Sequence, residues 1–104
     1  MLALTSAPAS AEPADARAEA RSHFDQGVGL ARRQAYAEAL AEFERAYQIF
    51  PHFSVQYNIG QALVALGRPT EAIVALTRYL EEGGANIEPA RRQEVDAVIA
   101  SELA

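Results

Sequence analysis

The stretch GVGLARRQAYAEALAEFERAYQIFP, Gly27 to Pro51, returns thirty-three residues later as GQALVALGRPTEAIVALTRYLEEGG, Gly60 to Gly84. Gly27 pairs with Gly60, Leu30 with Leu63, Ala39 with Ala72 and Phe43 with Leu76. A fixed period of this size marks units that stack, because one such unit cannot bury its apolar face alone. Within each copy the apolar residues recur at steps of three and four, which is the periodicity of a helix. The two copies therefore read as two antiparallel helical hairpins, and the rest of the chain leads into them or seals their end.

The positions inside each copy are ordered. The first runs Gly27-x-x-Leu30, then Ala35-Tyr36-x-x-Ala39, then Phe43-x-x-Ala46, then Pro51. The second runs Ile59-Gly60-x-x-Leu63, then Leu66-Gly67-Arg68, then Glu71-Ala72, then Leu76-x-x-Tyr79. This set resembles the tetratricopeptide repeat (TPR), with small residues where two helices touch, large apolar residues between them and Pro at the exit. The resemblance implies an all-α fold, an α-α superhelix of two antiparallel helical hairpins plus a C-terminal capping helix. There are departures. The step is 33 residues where the family has 34. Phe24 and Tyr57 sit three before the glycine, and His23 and Gln56 hold the bulky slot four before it. In the second copy Tyr79 stands where the first has Ala46, and Gly84 where it has Pro51.

Taken in order, Met1–Ala11 has small residues and an Ala9-Ser10-Ala11 ending of the form left of a secretory cleavage site. It reads either as a signal-peptide remnant with a mature start near Glu12, or as a plain Ala/Pro/Ser leader. The first reading implies a periplasmic or secreted protein, the second a cytoplasmic one. The stretch lacks a basic n-region, and its apolar part is short. The His23-Phe24-x-Gln26-Gly27-Val28-x-Leu30 opening also resembles TPR proteins of high-GC bacteria, which are commonly exported and often continue into a further domain.

The domain spans residues 13–104, with repeat one over about 20–52, repeat two over about 53–85 and the capping helix over about 88–104. The first helix starts at Pro13, a residue tolerated in a first turn, and ends near Arg32 and Arg33, where cations suit the helix dipole. The turn at Gln34-Ala35 lacks the glycine that the second copy supplies as Gly67, the left-handed residue that lets a chain reverse. The second helix, about Tyr36–Phe50, stops at Pro51, and Glu38, Glu42 and Glu44 are expected to face solvent. The third, about Phe53–Leu66, has Ser54 as its expected N-cap. The fourth runs from Pro69 to about Glu82, stopped by Gly83-Gly84. The last begins near Pro89 with Val95, Val98, Ile99 and Leu103 on one stripe, as a terminal cap requires.

Half of the residues are apolar, many of them alanine, and alanine favours helix but buries little area. Net charge is −5 and all nine basic residues are arginine. An acidic balance without a basic stripe argues against nucleic acid. With no cysteine there is no disulfide and no thiolate chemistry. No run approaches the roughly 18 apolar residues of a membrane span. His23 and His52 are the only histidines, and neither belongs to a metal or catalytic pattern. Cofactors, metals and enzymatic activity are not expected.

The positive reading is binding. In the TPR family the first helix of each hairpin lines a concave groove that holds a peptide or a partner's helix. Carried onto this sequence, the groove residues are Phe24, Val28 and Arg32 of the first helix and Tyr57, Asn58, Gln61 and Val64 of the third. Asn58 matches an asparagine often present in the family, and an amide can both donate to and accept from a peptide backbone. The family's clamp for a C-terminal carboxylate uses Lys and Asn. Phe24 and Val28 stand at the matching positions, so an apolar or mixed ligand surface is expected. The expected partner is another protein. The alternative is self-association, with the open ends of a short stack pairing into a homodimer.

Overall fold

A computed structural model describes residues 13–104, and the expected leader or signal-peptide remnant at 1–12 lies outside the described residues. Five helices follow one another: α1 (Pro13–Arg32), α2 (Tyr36–Ile49), α3 (Phe53–Ala65), α4 (Pro69–Gly83) and α5 (Pro89–Leu103). A single 3₁₀ turn, Gly84–Asn86, joins α4 to α5, and the described residues hold no strand. Helix ends fall within a residue or so of those read from the sequence.

Each hairpin is closed by the same hydrogen bonds. In the first, Ala35 N donates to Leu30 O and Gln34 N to Ala31 O, both at 2.9 Å. In the second, Arg68 N donates to Leu63 O and Gly67 N to Val64 O, both at 3.0 Å. This is the Schellman arrangement, which needs a left-handed residue after the helix. Gly67 has φ +70 and Gln34 has φ +63, so Gln34 takes without a glycine the conformation that its counterpart takes with one.

α1 packs along α2, α2 on α3, α3 along α4 and α4 on α5, so each element meets its neighbours in the chain. Between α1, α2, α3 and α4 lies one core cluster with Leu40, Phe43, Ile59 and Leu63 buried, and Phe24, Val28 and Tyr47 packed at its edge. A second, around Leu76, Tyr79, Ile87 and Val95, ties α4 to α5. Phe43, Leu76 and Val95 are the largest fully buried side chains. Burying a side chain of that size is worth about 1.5–3 kcal/mol.

Four local expectations are corrected. The N-cap of α3 is His52 rather than Ser54: its ring Nδ1 accepts from Ser54 N at 3.2 Å, and the serine hydroxyl lies 2.8 Å from the same nitrogen. Glu42 is half-buried instead of facing solvent, because its carboxylate accepts a 2.6 Å bond from His23 Nδ1 across the α1–α2 interface. α4 runs through Gly83, and the chain breaks only at Gly84, with φ +47. Leu103 is 68% exposed, so the α5 stripe ends at Val98 and Ile99.

Candidate interaction groove

α1 and α3 lie side by side above α2, and each packs on α2 more than on the other. The result is a seam whose walls are α1 and α3 and whose floor is α2. The residues facing it follow helical spacing: Arg17, Arg21, Phe24, Val28 and Arg32 on α1, and Ser54, Asn58 and Gln61 on α3.

Two cavities open along the seam. One, of about 260 Å³, is bounded by Val28, Ala31 and Arg32, by Tyr36 and Phe43 from below, and by Asn58, Gln61 and Ala62 opposite. The other, of about 280 Å³, lies toward the start of α1. Arg17, Arg21 and Phe24 form one wall of it, His52, Ser54 and Val55 the other, and Phe50 the floor. Phe24 lines one and Phe43 the other, and their rings meet at 5.6 Å between centroids, tilted by 50°.

Of the seven residues read from the sequence, Val28, Arg32, Asn58 and Gln61 line one cavity, and Phe24 lines its neighbour. Two are placed elsewhere. Tyr57 packs on Tyr79 at 5.4 Å, its hydroxyl donates to Glu94 Oε2 at 3.0 Å, and the Arg91 guanidinium stands 4.2 Å above its ring. Val64 is half-buried against both core clusters. Arg17, Arg21 and Tyr36 were not foreseen. Continuing the three- and four-residue steps back from Phe24 reaches Arg21 and Arg17, so their place was readable.

The polar groups of the seam are available. Among the described residues, the Asn58 and Gln61 amides make no side-chain hydrogen bond, and Arg32 makes no ion pair. Arg17 lies 5.0 Å over the Phe50 ring, and Arg21 makes an exposed 3.3 Å pair with Asp25. The absence of a basic stripe is thus corrected for this face. Three arginines remain few beside the 6–10 phosphate contacts of a typical nucleic-acid site.

On the other side of the molecule a broader cleft of about 450 Å³ separates α2 from α4, with Glu44, Glu71 and Arg78 at its rim and Gln56, Ile59 and Leu63 at its base. Tyr47, in its wall, donates to both carboxylate oxygens of Glu82 at 2.9 and 3.0 Å. Burial first, and then that bond, push the Tyr47 phenol above its ordinary value. Arg68 grips Glu71 with two bonds of 2.6 and 2.8 Å and holds its carboxyl below the usual range. Among the described residues no three His, Asp or Glu side chains converge to hold a metal ion. No described helix is long and apolar enough to cross a membrane.

Helical hairpins repeated at a fixed step, closed by equivalent turns and stacked in chain order, define a helical repeat protein. The chain belongs to the tetratricopeptide repeat family: the model of that family, described as Tetratricopeptide repeat, matches residues 30–92. Repeats of this family are non-catalytic and generally mediate protein–protein interaction. Comparison with curated proteins and with solved structures gives no match.

Proposed function

We propose that the chain is a protein-interaction module that takes up a segment of a partner protein, a peptide or helix, in the seam between α1 and α3. The observation that carries this reading is the pair of unengaged amides, Asn58 and Gln61, facing Val28 and Arg32 across an open cavity. Amides satisfy a peptide backbone in both senses, donor and acceptor, while Val28 and Phe24 offer apolar surface between the bonds. Tyr57 and Val64, the other two α3 residues of this reading, stand outside the two cavities, Tyr57 engaged by α5 and Val64 packed against the core. In this reading residues 20–52 and 53–85 are the two repeats, and α5, within 88–104, caps the stack.

The experiment is selection of linear peptides against the folded chain, followed by affinity measurement on variants. Asn58→Ala and Gln61→Ala should each weaken a selected peptide about two- to tenfold, the worth of one hydrogen bond. Peptides that bind both variants as tightly as the parent would refute the seam as the binding surface.

A second reading, self-association, is supported by the exposure of Leu103 on α5, which packs mainly on α4. Light scattering across a wide concentration range decides it: a dimer mass that Leu103→Glu abolishes supports it, and a monomer throughout refutes it.

A further inference from the structure

We propose that the segment received by the seam is acidic, with carboxylates flanking apolar side chains. This rests on the reading of the seam as a peptide groove and names the chemistry of its partner. The argument is the sign of charge on that face. The chain carries a net charge of −5, yet the two seam cavities are lined by Arg17, Arg21 and Arg32 and by no carboxylate. α3, the opposite wall, has no charged residue, so nothing across the seam neutralises them. α1 also carries Asp15, Glu19 and Asp25, but none of them lines either cavity, and the other helices before α5 hold their acidic residues away from the seam cavities: Glu38, Glu42 and Glu44 on α2, and Glu71, Glu81 and Glu82 on α4. The α2–α4 cleft accordingly has Glu44 and Glu71 among its lining residues, beside Arg78.

The spacing gives the ligand a length. Arg21 and Arg32 are separated along α1 by about 16 Å, and Arg17 and Arg32 by about 22 Å, at the helical rise per residue. An extended segment covers those distances in about five to seven residues. Its carboxylates would meet the arginines at the two ends, and its central side chains would enter the cavities on either side of the Phe24–Phe43 pair. The guanidinium of Arg32, without an ion-pair partner among the described residues, is free to take a carboxylate in two parallel bonds. Arg21 would exchange an exposed pair with Asp25, worth little in water, for one at the rim of a cavity.

The test is a random linear peptide library displayed on phage and panned at low salt against the whole chain. Selected peptides are then synthesised with each Glu or Asp kept or replaced by its amide. The proposal expects acidic residues to be enriched, the amide versions to bind at least several-fold more weakly, and affinity to fall as salt is raised through physiological strength, where the screening length is about 8 Å. Arg17→Gln, Arg21→Gln and Arg32→Gln should each cost about two- to fivefold, and the triple variant about tenfold or more. These residues are exposed on a helix that glutamine also favours, so circular dichroism should be unchanged.

Peptides lost with Asn58→Ala but neutral or basic in composition, or insensitive to the arginine variants, would overturn the acidic ligand and leave the groove standing. Acidic peptides indifferent to both Asn58→Ala and the arginine variants would overturn the groove and the proposal together, as would a selection that yields no binder or a dimer that hides the seam. An oligonucleotide of equal charge that displaces the peptides at equal concentration would overturn the assignment to a protein segment.

Discussion

Gly27 and Phe43 meet so closely that a Cβ on the glycine would stand 2.6 Å from Cε1 of the ring. One repeat further on, Gly60 stands in the same relation to the side chain of Leu76. Phe43 and Leu76 are fully buried and cannot move aside cheaply. Alanine at Gly27 or Gly60 would gain about 1 kcal/mol of helix propensity and lose about 1–3 kcal/mol to overpacking, so both variants should be destabilised. Gly29, on the same helix, has nothing within 4 Å of its missing Cβ, and Gly29→Ala should stabilise by about 0.5–1 kcal/mol. Urea unfolding followed by circular dichroism should rank Gly29→Ala above the parent and Gly27→Ala below it; equal stability of the two variants would refute the close approach.

The hairpin turns make a second pair of opposite predictions. Gln34 holds a left-handed backbone that costs a side-chain-bearing residue about 1–2 kcal/mol, and Gly67 holds nearly the same conformation without that cost. Gln34→Gly should therefore raise stability by up to about 1 kcal/mol, part of the gain being offset by the greater freedom of glycine in the unfolded chain. Gly67→Ala should lower it by about 1–2 kcal/mol. Thermal melts of the two variants check this, and a melting point lowered by Gln34→Gly would contradict it.

These two cases show why the fold was legible. The Gly27–Phe43 and Gly60–Leu76 pairs are local, lie sixteen residues apart within each hairpin and recur at a fixed step, so one sequence comparison exposes both. The positive φ of Gln34 was not legible, because glutamine does not advertise it; only equivalence with Gly67 could suggest it. The lining of the central cavity between α1 and α3 was legible, because Val28, Arg32, Asn58 and Gln61 follow from the glycine positions. The rest of the site was less legible. Tyr57 turns to α5 because Arg91 and Glu94 engage it, and α5 follows an irregular connection that breaks the repeat step. The half-burial of Glu42 was not legible because its partner His23 stands where the family has a bulky residue, and that departure hid a hydrogen bond across the α1–α2 interface.

A third prediction concerns alkaline pH. The Tyr47 phenol is pushed above its ordinary value of 10.0, by burial and then by the bond to Glu82. A raised value means that the folded chain holds this proton more tightly than the unfolded one. The resulting contribution is complete below the ordinary tyrosine value and is lost as pH rises through the folded-state value. Tyr47→Phe has no proton to lose, so its stability should fall less steeply across the tyrosine range, about pH 9 to 11.5. Urea midpoints for the two proteins over that range test the point, and identical slopes would refute it.

The last prediction is about where the stack comes apart. Val95 is 1% exposed and packs with Leu76, Tyr79 and Ile87, and this cluster is the main apolar attachment of α5. Two polar attachments accompany it. Arg92 donates to the carbonyls of Leu80 and Gly84 at 3.4 and 3.0 Å, and Arg91 stands over Tyr57. In a stack whose units touch only their neighbours, damage at one end stays there. Val95→Ala should cost about 2 kcal/mol from lost burial and the cavity left behind, and Val95→Asp should release α5 outright, since a carboxylate there has no partner. Amide hydrogen exchange should then show lost protection across α5 and little change in the α1–α2 hairpin. Release of α5 would also free the ring and hydroxyl of Tyr57, so a peptide seated near that end of α3 should bind the Val95→Asp variant differently from one seated beside Arg17. Uniform loss of protection along the whole chain would instead mean that the hairpins and α5 unfold as one cooperative unit, and that Val95 supports the seam as well as the end of the stack.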